Sequence, residues 1–398
     1  MGSRWRNCLN NFMANINLSN AKKAKNDEFY TQYHDIEKEI AAYIEYNPDV
    51  FRGKTVLLPC DDPEWSNFTK FFAQSFKKFG LKKIISTSYA ADSKNYKEGY
   101  QPTLFETKDP QFDKNKTSKY GKIFTLTHDK TGDGKIDVED LEWHYLKGDG
   151  DFRSDEIKKL RDEADIICTN PPFSLFREFL AWIIEANKQF LIIGNINAIT
   201  YKEIFPLIKK NKIWLGPSIT SGDREFIIPK SIVDNDKFTG EIRKDKEGND
   251  VYYQKVVGVR WFTNLDHGRR HQPLPLMKEL EVIKFGTKKP FEKYENYNAI
   301  EVSLVKNIPS DYKGVMGVPI SFLDKYSPEQ FEIIGMCENE DLYNLKTKVY
   351  KTAECKQAYL EKFKKKGTYD MNASGVVIRN GLSEKVYQRV LIKHKKRR

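Results

Sequence analysis

The chain has 398 residues, 39% of them hydrophobic and 13% aromatic, which allows a large buried core and excludes an intrinsically disordered protein. No stretch of about 18 uncharged apolar residues occurs, so no membrane-spanning helix is expected. The net charge of +11 is concentrated at one end: residues 345–398 carry 16 Lys or Arg against 4 Asp or Glu, and the remainder is nearly neutral.

In chain order, residues 1–25 are a polar, Asn-rich lead-in. From Asp35 to Tyr46 apolar side chains recur at helical spacing (Ile36, Ile40, Tyr43, Ile44), which predicts an amphipathic helix. Thr55-Val56-Leu57-Leu58-Pro59 reads as a buried strand, Phe68 to Phe76 as a helix, and Leu81 to Thr87 as a second strand. A polar stretch follows, and residues 91–147 are expected to form an insertion or hairpin. Alternation then resumes, with strands over 165–169, 190–194, 213–215, 226–228 and 256–262 and helices over 176–184 and 201–210. Short apolar strands alternating with helices predict an α/β fold with a doubly wound, mostly parallel sheet. The last two strands have no helix between them and predict an antiparallel edge pair. After about Asp266 the pattern gives way to Pro-, Tyr- and Lys-rich sequence, expected to be a second, basic lobe. The predicted division is therefore a lead-in (1–25), a catalytic domain (26–265) and a recognition lobe (266–398).

The five cysteines (Cys8, Cys60, Cys168, Cys337, Cys355) are scattered, with no CxxC spacing. That pattern predicts reduced thiols and no structural zinc. The opening Met1-Gly2-Ser3-Arg4-Trp5-Arg6 lacks the apolar core of a secretion signal, so a cytoplasmic location is expected. One basic end on a neutral body predicts a polyanionic partner, with a solubilising tail as the plainer reading.

Four segments carry chemistry. Asn170-Pro171-Pro172-Phe173 falls at the carboxyl end of a predicted strand, just before a helix, where open α/β sheets bind ligands. An adenine N6 amine is a poor nucleophile because its lone pair is delocalised into the ring. The Asn170 side-chain oxygen and the Pro171 carbonyl can hold its two protons and favour the charge that develops as a methyl arrives. Proline fixes the chain where that carbonyl must be aimed. Phe173 offers a face for an extruded base, a stacking worth about 1–3 kcal/mol. A plain Asn-Pro turn is the competing reading.

The first strand runs into Pro59-Cys60-Asp61-Asp62-Pro63, whose carboxylates, Asp61 first, suit the ammonium of a methionine-like cofactor. An acidic turn capping the next helix explains the same residues. In Gly148-Asp149-Gly150-Asp151-Phe152 the glycines allow close backbone approach to a ligand. Asp151 can accept from an adenine amino group and Phe152 can stack beside it. Asp27-Glu28-Phe29-Tyr30-Thr31 combines acceptors, hydroxyls and aromatics ahead of the first helix. By itself it is equally well a helix cap.

One segment points elsewhere. Asp129 to Asp140 (DKTGDGKIDVED) has the spacing of a calcium loop, with oxygens at positions 1, 3, 5, 9 and 12 and glycine at 6. Position 12 is Asp rather than Glu, and Lys122 to Leu126 alternates like a strand, so a hairpin turning at Asp-Gly is preferred to a metal site.

Taken in order, these pieces resemble the EcoRI-type family of adenine-specific DNA methyltransferases. The resemblance runs from about Lys22 through AKKAKNDEFYTQYHDIE, CDDP, GDGDFRS, TNPPFSLFREFL and FLIIGNINAITYKEIFPLIKKNKIWLG. It continues through WFTNLD, Tyr294 to Ile300, YKGVMGVPISFLDKYSPEQFEIIG and the closing Tyr387 to Ile392. It implies a Rossmann-like methyltransferase fold and S-adenosyl-L-methionine as donor. Asp27, Phe29, Tyr30, Thr31, Pro59, Cys60, Asp61, Asp62, Asp151, Phe152 and Asn170 would then line the cofactor pocket, with Asn170, Pro171, Pro172 and Phe173 as the catalytic motif. No metal is implied. The second lobe would read double-stranded DNA, with Arg269, Arg270, His271, Lys393, Lys395 and Lys396 as the expected contacts, and the protein would act as a monomer. Methylation of RNA or of a protein glutamine, or a non-catalytic nucleic-acid-binding role, are the alternatives to be separated from this one.

Overall fold

Four parallel strands form the centre of the largest sheet in this computed structural model, which describes residues 31–60, 66–90, 109–220, 223–228, 238, 240–245 and 248–395. Contacts within the chain group it into two units, one of residues 1–205 and 213–267, the other of residues 206–212 and 268–398.

The first unit opens on helix α1 (Tyr33–Tyr46), which buries Ile36, Ile40 and Tyr43 on one stripe. Strand β1 (Thr55–Leu58) is buried throughout. Helix α2 (Asn67–Gln74) starts on Ser66, whose hydroxyl accepts from the Phe68 and Thr69 amides, and it packs Phe68, Phe71 and Phe72 into the core. Strands β2 (Lys83–Thr87), β3 (Lys122–Leu126) and β4 (Glu142–Tyr145) follow. Next come α3 (Asp155–Glu163), β5 (Ile166–Thr169), α4 (Phe176–Glu185) and β6 (Gln189–Asn195). The short β7 (Trp214–Leu215), then β8 (Arg224–Ile228), β9 (Glu241–Lys244), β10 (Asp250–Val256) and β11 (Val259–Thr263) complete it.

The eight-stranded sheet has the order β4-β3-β2-β1-β5-β6-β11-β7. Strands β2, β1, β5 and β6 are mutually parallel, while β3 and β11 run against their neighbours. The outermost β4 and β7 reverse again, so six of the eight strands point the same way. The chain moves from β1 to β2 in one direction and later returns to β5 on the other side of β1, which makes the gap between β1 and β5 the topological switch point.

Three sequence expectations change here. The hairpin expected within residues 91–147 is present over residues 122–145, where β3 and β4 extend the main sheet, yet residues 127–141 connect its strands in place of a tight Asp-Gly turn. The expected edge pair is split: Val256 pairs with Arg224 in a three-stranded sheet β8-β10-β9, whereas β11 pairs with β6. The break comes at Gly258, whose φ of +73° turns the chain between the two sheets. The expected helix over 201–210 is shorter, Phe205–Lys209.

The second unit centres on a four-stranded sheet ordered β12 (Ala299–Glu301), β13 (Val315–Pro319), β17 (Arg389–His394), β14 (Phe331–Met336). Beside it stand helix α5 (Thr352–Phe363) and the hairpin β15 (Val376–Arg379) and β16 (Leu382–Lys385). Up to Lys395, the last described residue, the basic end of the chain is thus no loose tail. Strand β17 is interior to its sheet, with Val390, Leu391 and Ile392 buried. Its Arg389 is buried too, held by Glu301 through a 2.6 Å contact from Nη2 to Oε1.

Candidate active site

The carboxyl ends of β2, β1 and β5 lie side by side; two of the singled-out segments leave from β1 and β5, and a third, residues 148–152, follows β4. Strand β5 is fully buried, and it delivers Asn170, 8% exposed, and the buried Pro171 to the switch point. The register sets Val56 against Ile166 and Leu57 against Ile167, which brings Pro59 level with Thr169. There the Thr169 hydroxyl donates to the Pro59 carbonyl, fastening the loop after β5 to the loop after β1. Cys60 follows with φ +74°, a left-handed conformation uncommon outside glycine and asparagine.

Behind the motif, the amide of Leu175 donates to the Pro172 carbonyl at 2.9 Å and starts a single 3₁₀ turn over Phe173–Leu175. Helix α4 then begins at Phe176. Gly194 on β6 makes this approach possible, since a Cβ there would lie 2.4 Å from the Phe176 ring. Phe176 packs in turn on Phe262, with centroids 4.9 Å apart. The half-buried Phe173 stands edge-on to Phe226, with centroids 6.5 Å apart and planes at 82°.

The Gly148–Asp151 loop covers the end of β2. The Ala90 amide donates to the Asp149 carbonyl at 2.8 Å, and the Gly121 amide to the Gly148 carbonyl at 2.9 Å. Gly150 has φ +87°, and a Cβ there would meet the Ser88 carbonyl at 2.3 Å, so no other residue fits without moving the chain. The Asp151 carboxylate receives three contacts from Arg153: the backbone amide at 2.9 Å, Nε at 2.8 Å and Nη2. That pairing holds the Arg153 guanidinium well above its ordinary pKa. Burial, then the neighbouring Cys60 and Asp151, push the Tyr89 hydroxyl well above its usual range, so this group stays protonated at the junction of the two loops.

Thr31 sits by the start of α2: its carbonyl accepts from Asn67 Nδ2 at 2.8 Å, while its buried hydroxyl has no hydrogen-bond partner among the described residues. Asp27, Phe29, Tyr30, Asp61 and Asp62 lie outside the described residues.

Phe152 departs from expectation. Its ring is 1% exposed, edge-on to Phe179 and Trp182 of α4 with centroids 5.1 and 5.7 Å away, so it packs the core and presents no face to a ligand. Arg270 departs likewise: it is 6% exposed with Nη2 bonded to Asn211 Oδ1, a structural contact within the second unit. His271 Nδ1 is 2.9 Å from Glu329 Oε1, and Arg269 lies in the same half-buried turn. Lys393 and Lys395 are exposed, and Lys396 lies outside the described residues.

The Asp129–Asp140 loop spends its carboxylates on its own backbone. Asp140 accepts from the amides of Lys130 and Thr131 at 2.9 Å and of Asp137 at 3.0 Å, and Asp129 from those of Gly132 and Gly134. Amides of Thr131 and Asp137 lower the Asp140 carboxyl to about 2. Among the described residues no group of three or more His, Cys, Asp or Glu is placed to hold a metal ion.

Sequence reasoning passed over Thr169, Tyr89, Arg153, Glu178 and Gly194. Only Arg153 left a signal, as the basic residue two places after Asp151.

The family model described as "Adenine-specific methyltransferase EcoRI" matches residues 17–395. The chain is 45% identical over 324 residues to the Escherichia coli protein named Type II methyltransferase M.EcoRI, spanning 81% of this chain and 90% of that protein. It is 35% identical over 335 residues to Type II methyltransferase M.MpnI of Mycoplasma pneumoniae, spanning 84% of this chain and 90% of that one. No solved structure matches significantly. With a mostly parallel sheet, Asn-Pro-Pro-Phe at its switch point and a family match over nearly its whole length, this chain belongs to the EcoRI family of adenine-specific DNA methyltransferases.

Proposed function

We propose that the enzyme moves the methyl group of S-adenosyl-L-methionine to N6 of an adenine swung out of duplex DNA, at one short recognition sequence, as a cytoplasmic monomer. The observation that carries this reading is the placement of Asn170 and Pro171 at the carboxyl end of β5, beside the end of β1.

Two features of this chain fit the donor. The buried Thr31 hydroxyl, beside the start of α2, has no hydrogen-bond partner among the described residues, and Gly150 brings the backbone of its loop into van der Waals contact with the end of β2. Thr31, the residues after Pro59, and Asp151 would hold it, with Asp61 taking its ammonium and Asp151 the amino group of its adenine ring. The bound donor supplies a methyl group made electrophilic by a positively charged sulfur.

The remaining work falls to the motif. The Asn170 side-chain oxygen and the Pro171 carbonyl each accept one proton of the target amine, drawing its lone pair out of ring conjugation and toward the methyl. As the N–C bond forms and the S–C bond breaks, the nitrogen gains positive charge that the two oxygens stabilise, and one proton then leaves to solvent. Phe173, backed edge-on by Phe226, stacks against the flipped ring, which offsets part of the few kcal/mol that extrusion costs. Residues 26–265 form the methyltransferase domain in this reading, and residues 266–398 recognise the target, with Lys393 and Lys395 on phosphates.

Incubation of unmodified genomic DNA with the protein and donor, followed by sequencing with modified-base detection, tests the proposal. N6-methyladenine confined to one short motif is expected. Modified cytosine, or methyl transfer only to RNA or protein, would overturn it.

A further inference from the structure

The Asp151 carboxylate is held chiefly by one side chain, and that side chain also faces the helix behind the catalytic motif. Arg153 clasps Asp151 through two guanidinium nitrogens and its own amide, a forked contact that fixes both the position and the plane of the carboxylate. Its third nitrogen, Nη1, lies 3.6 Å from Glu178 Oε1, on the first turn of α4. Glu178 is largely buried, with a side chain 16% exposed, and among the described residues Oε1 makes no hydrogen bond and Arg153 is the counter-charge facing it. Phe152, between the two paired residues, is sunk against Phe179 and Trp182 of the same helix, and the Arg153 guanidinium covers its ring at 5.5 Å.

The loop is therefore attached to α4 twice, by a ring and by a charge. Helix α4 begins three residues after Phe173 and is seated on Gly194 of β6. A shift of Asp151 relative to Asn170 would have to break the Arg153–Glu178 contact or pull Phe152 from the core.

We infer that Arg153 is a positioning residue for the methyl donor: it holds Asp151 in the orientation that receives the donor and ties that loop to the helix that follows the catalytic motif. This rests on the proposed role of Asp151 as a donor contact. A planar guanidinium is required because a lysine ammonium cannot engage both carboxylate oxygens in a fork while facing Glu178.

The test is calorimetric titration of S-adenosyl-L-methionine into the full-length, DNA-free protein. Removing Arg153 alone would strand the Glu178 charge, so the working variant is Arg153→Gln combined with Glu178→Gln, whose fold is checked by circular dichroism and thermal unfolding. Asp151→Ala should weaken donor binding about tenfold, the worth of one charge-assisted hydrogen bond. The double Gln variant should weaken it by a similar factor, and Glu178→Gln alone by less than about twofold. Added to Asp151→Ala, the double Gln change should cost almost nothing further, because Arg153 acts through Asp151. Arg153→Lys should recover only part of the loss. Unchanged binding in Asp151→Ala would overturn the donor-site reading itself. Weakened binding there with wild-type affinity in the double Gln variant, or full additivity of the two losses, would overturn the role given to Arg153.

Discussion

The hydroxyl of Thr169 donates to the carbonyl of Pro59, joining the last residue of β5 to the first residue past β1. Both ends of this bond are buried, so the carbonyl has no water to turn to if the hydroxyl is lost. Thr169→Val keeps the shape and removes the donor. Loss of one buried hydrogen-bond partner costs about 1–3 kcal/mol. Urea denaturation should show a decrease of that size, and the apparent KM for the donor should rise because the loop after β1 loses its fastening. Unaltered stability would mean that the contact is not made in solution.

Gly150→Ala is expected to be harmful for two separate reasons. The backbone sits at φ +87°, and the new methyl carbon would collide with the Ser88 carbonyl. Strain of this kind costs about 1–3 kcal/mol. Equilibrium unfolding should report it, together with weaker donor binding as the Asp149–Asp151 loop lifts from β2. Gly132 in the neighbouring hairpin has a similar φ of +74° but nothing near its would-be Cβ, so Gly132→Ala should cost less.

How much of this was legible in advance depends on where each residue's partners lie. Strands β1, β5 and β6 are buried on both faces and therefore read as continuous Val, Leu and Ile runs. The Asn170 motif was recognisable because its chemistry and its position after a strand are both local. Strands β3 and β4 escaped assignment to the main sheet because β4 is an edge strand that alternates exposed and half-buried residues, and its pairing is visible only in the fold. Phe152 and Arg270 were misread for a related reason. An aromatic beside a candidate ligand residue, or an arginine in a basic cluster, looks functional until Trp182 or Asn211 arrives from elsewhere in the chain.

The acid limb of stability should carry the signature of Asp140. Backbone amides of Thr131 and Asp137 lower its carboxyl from 3.8 to about 2 in the folded protein. The folded state thus binds this proton more weakly than the unfolded chain. Its contribution is fully present above about pH 4 and is lost as pH falls through 2. Asp140→Asn should flatten the dependence of unfolding free energy on pH between 4 and 2, leaving the region above pH 5 parallel to wild type. An identical slope in both proteins would contradict the assignment.

Lys393 and Lys395 are exposed on and just beyond the closing strand β17, at the basic end of the chain. If each meets a phosphate, replacing both by Ala should weaken duplex binding at all sequences alike. The slope of log K against log salt should also become shallower by about 2. Fluorescence anisotropy at several salt concentrations measures this, and an unchanged slope would remove both lysines from the interface.

The central claim is that Asn170 acts on the reacting amine and not on either binding step. Single-turnover methylation by Asn170→Ala, with donor and duplex both saturating, tests it most directly. The rate should fall by about 10²–10³, as when one preorganised stabilising group is removed, while both dissociation constants stay within about twofold of wild type. Methylation at the wild-type rate under those conditions would contradict the account.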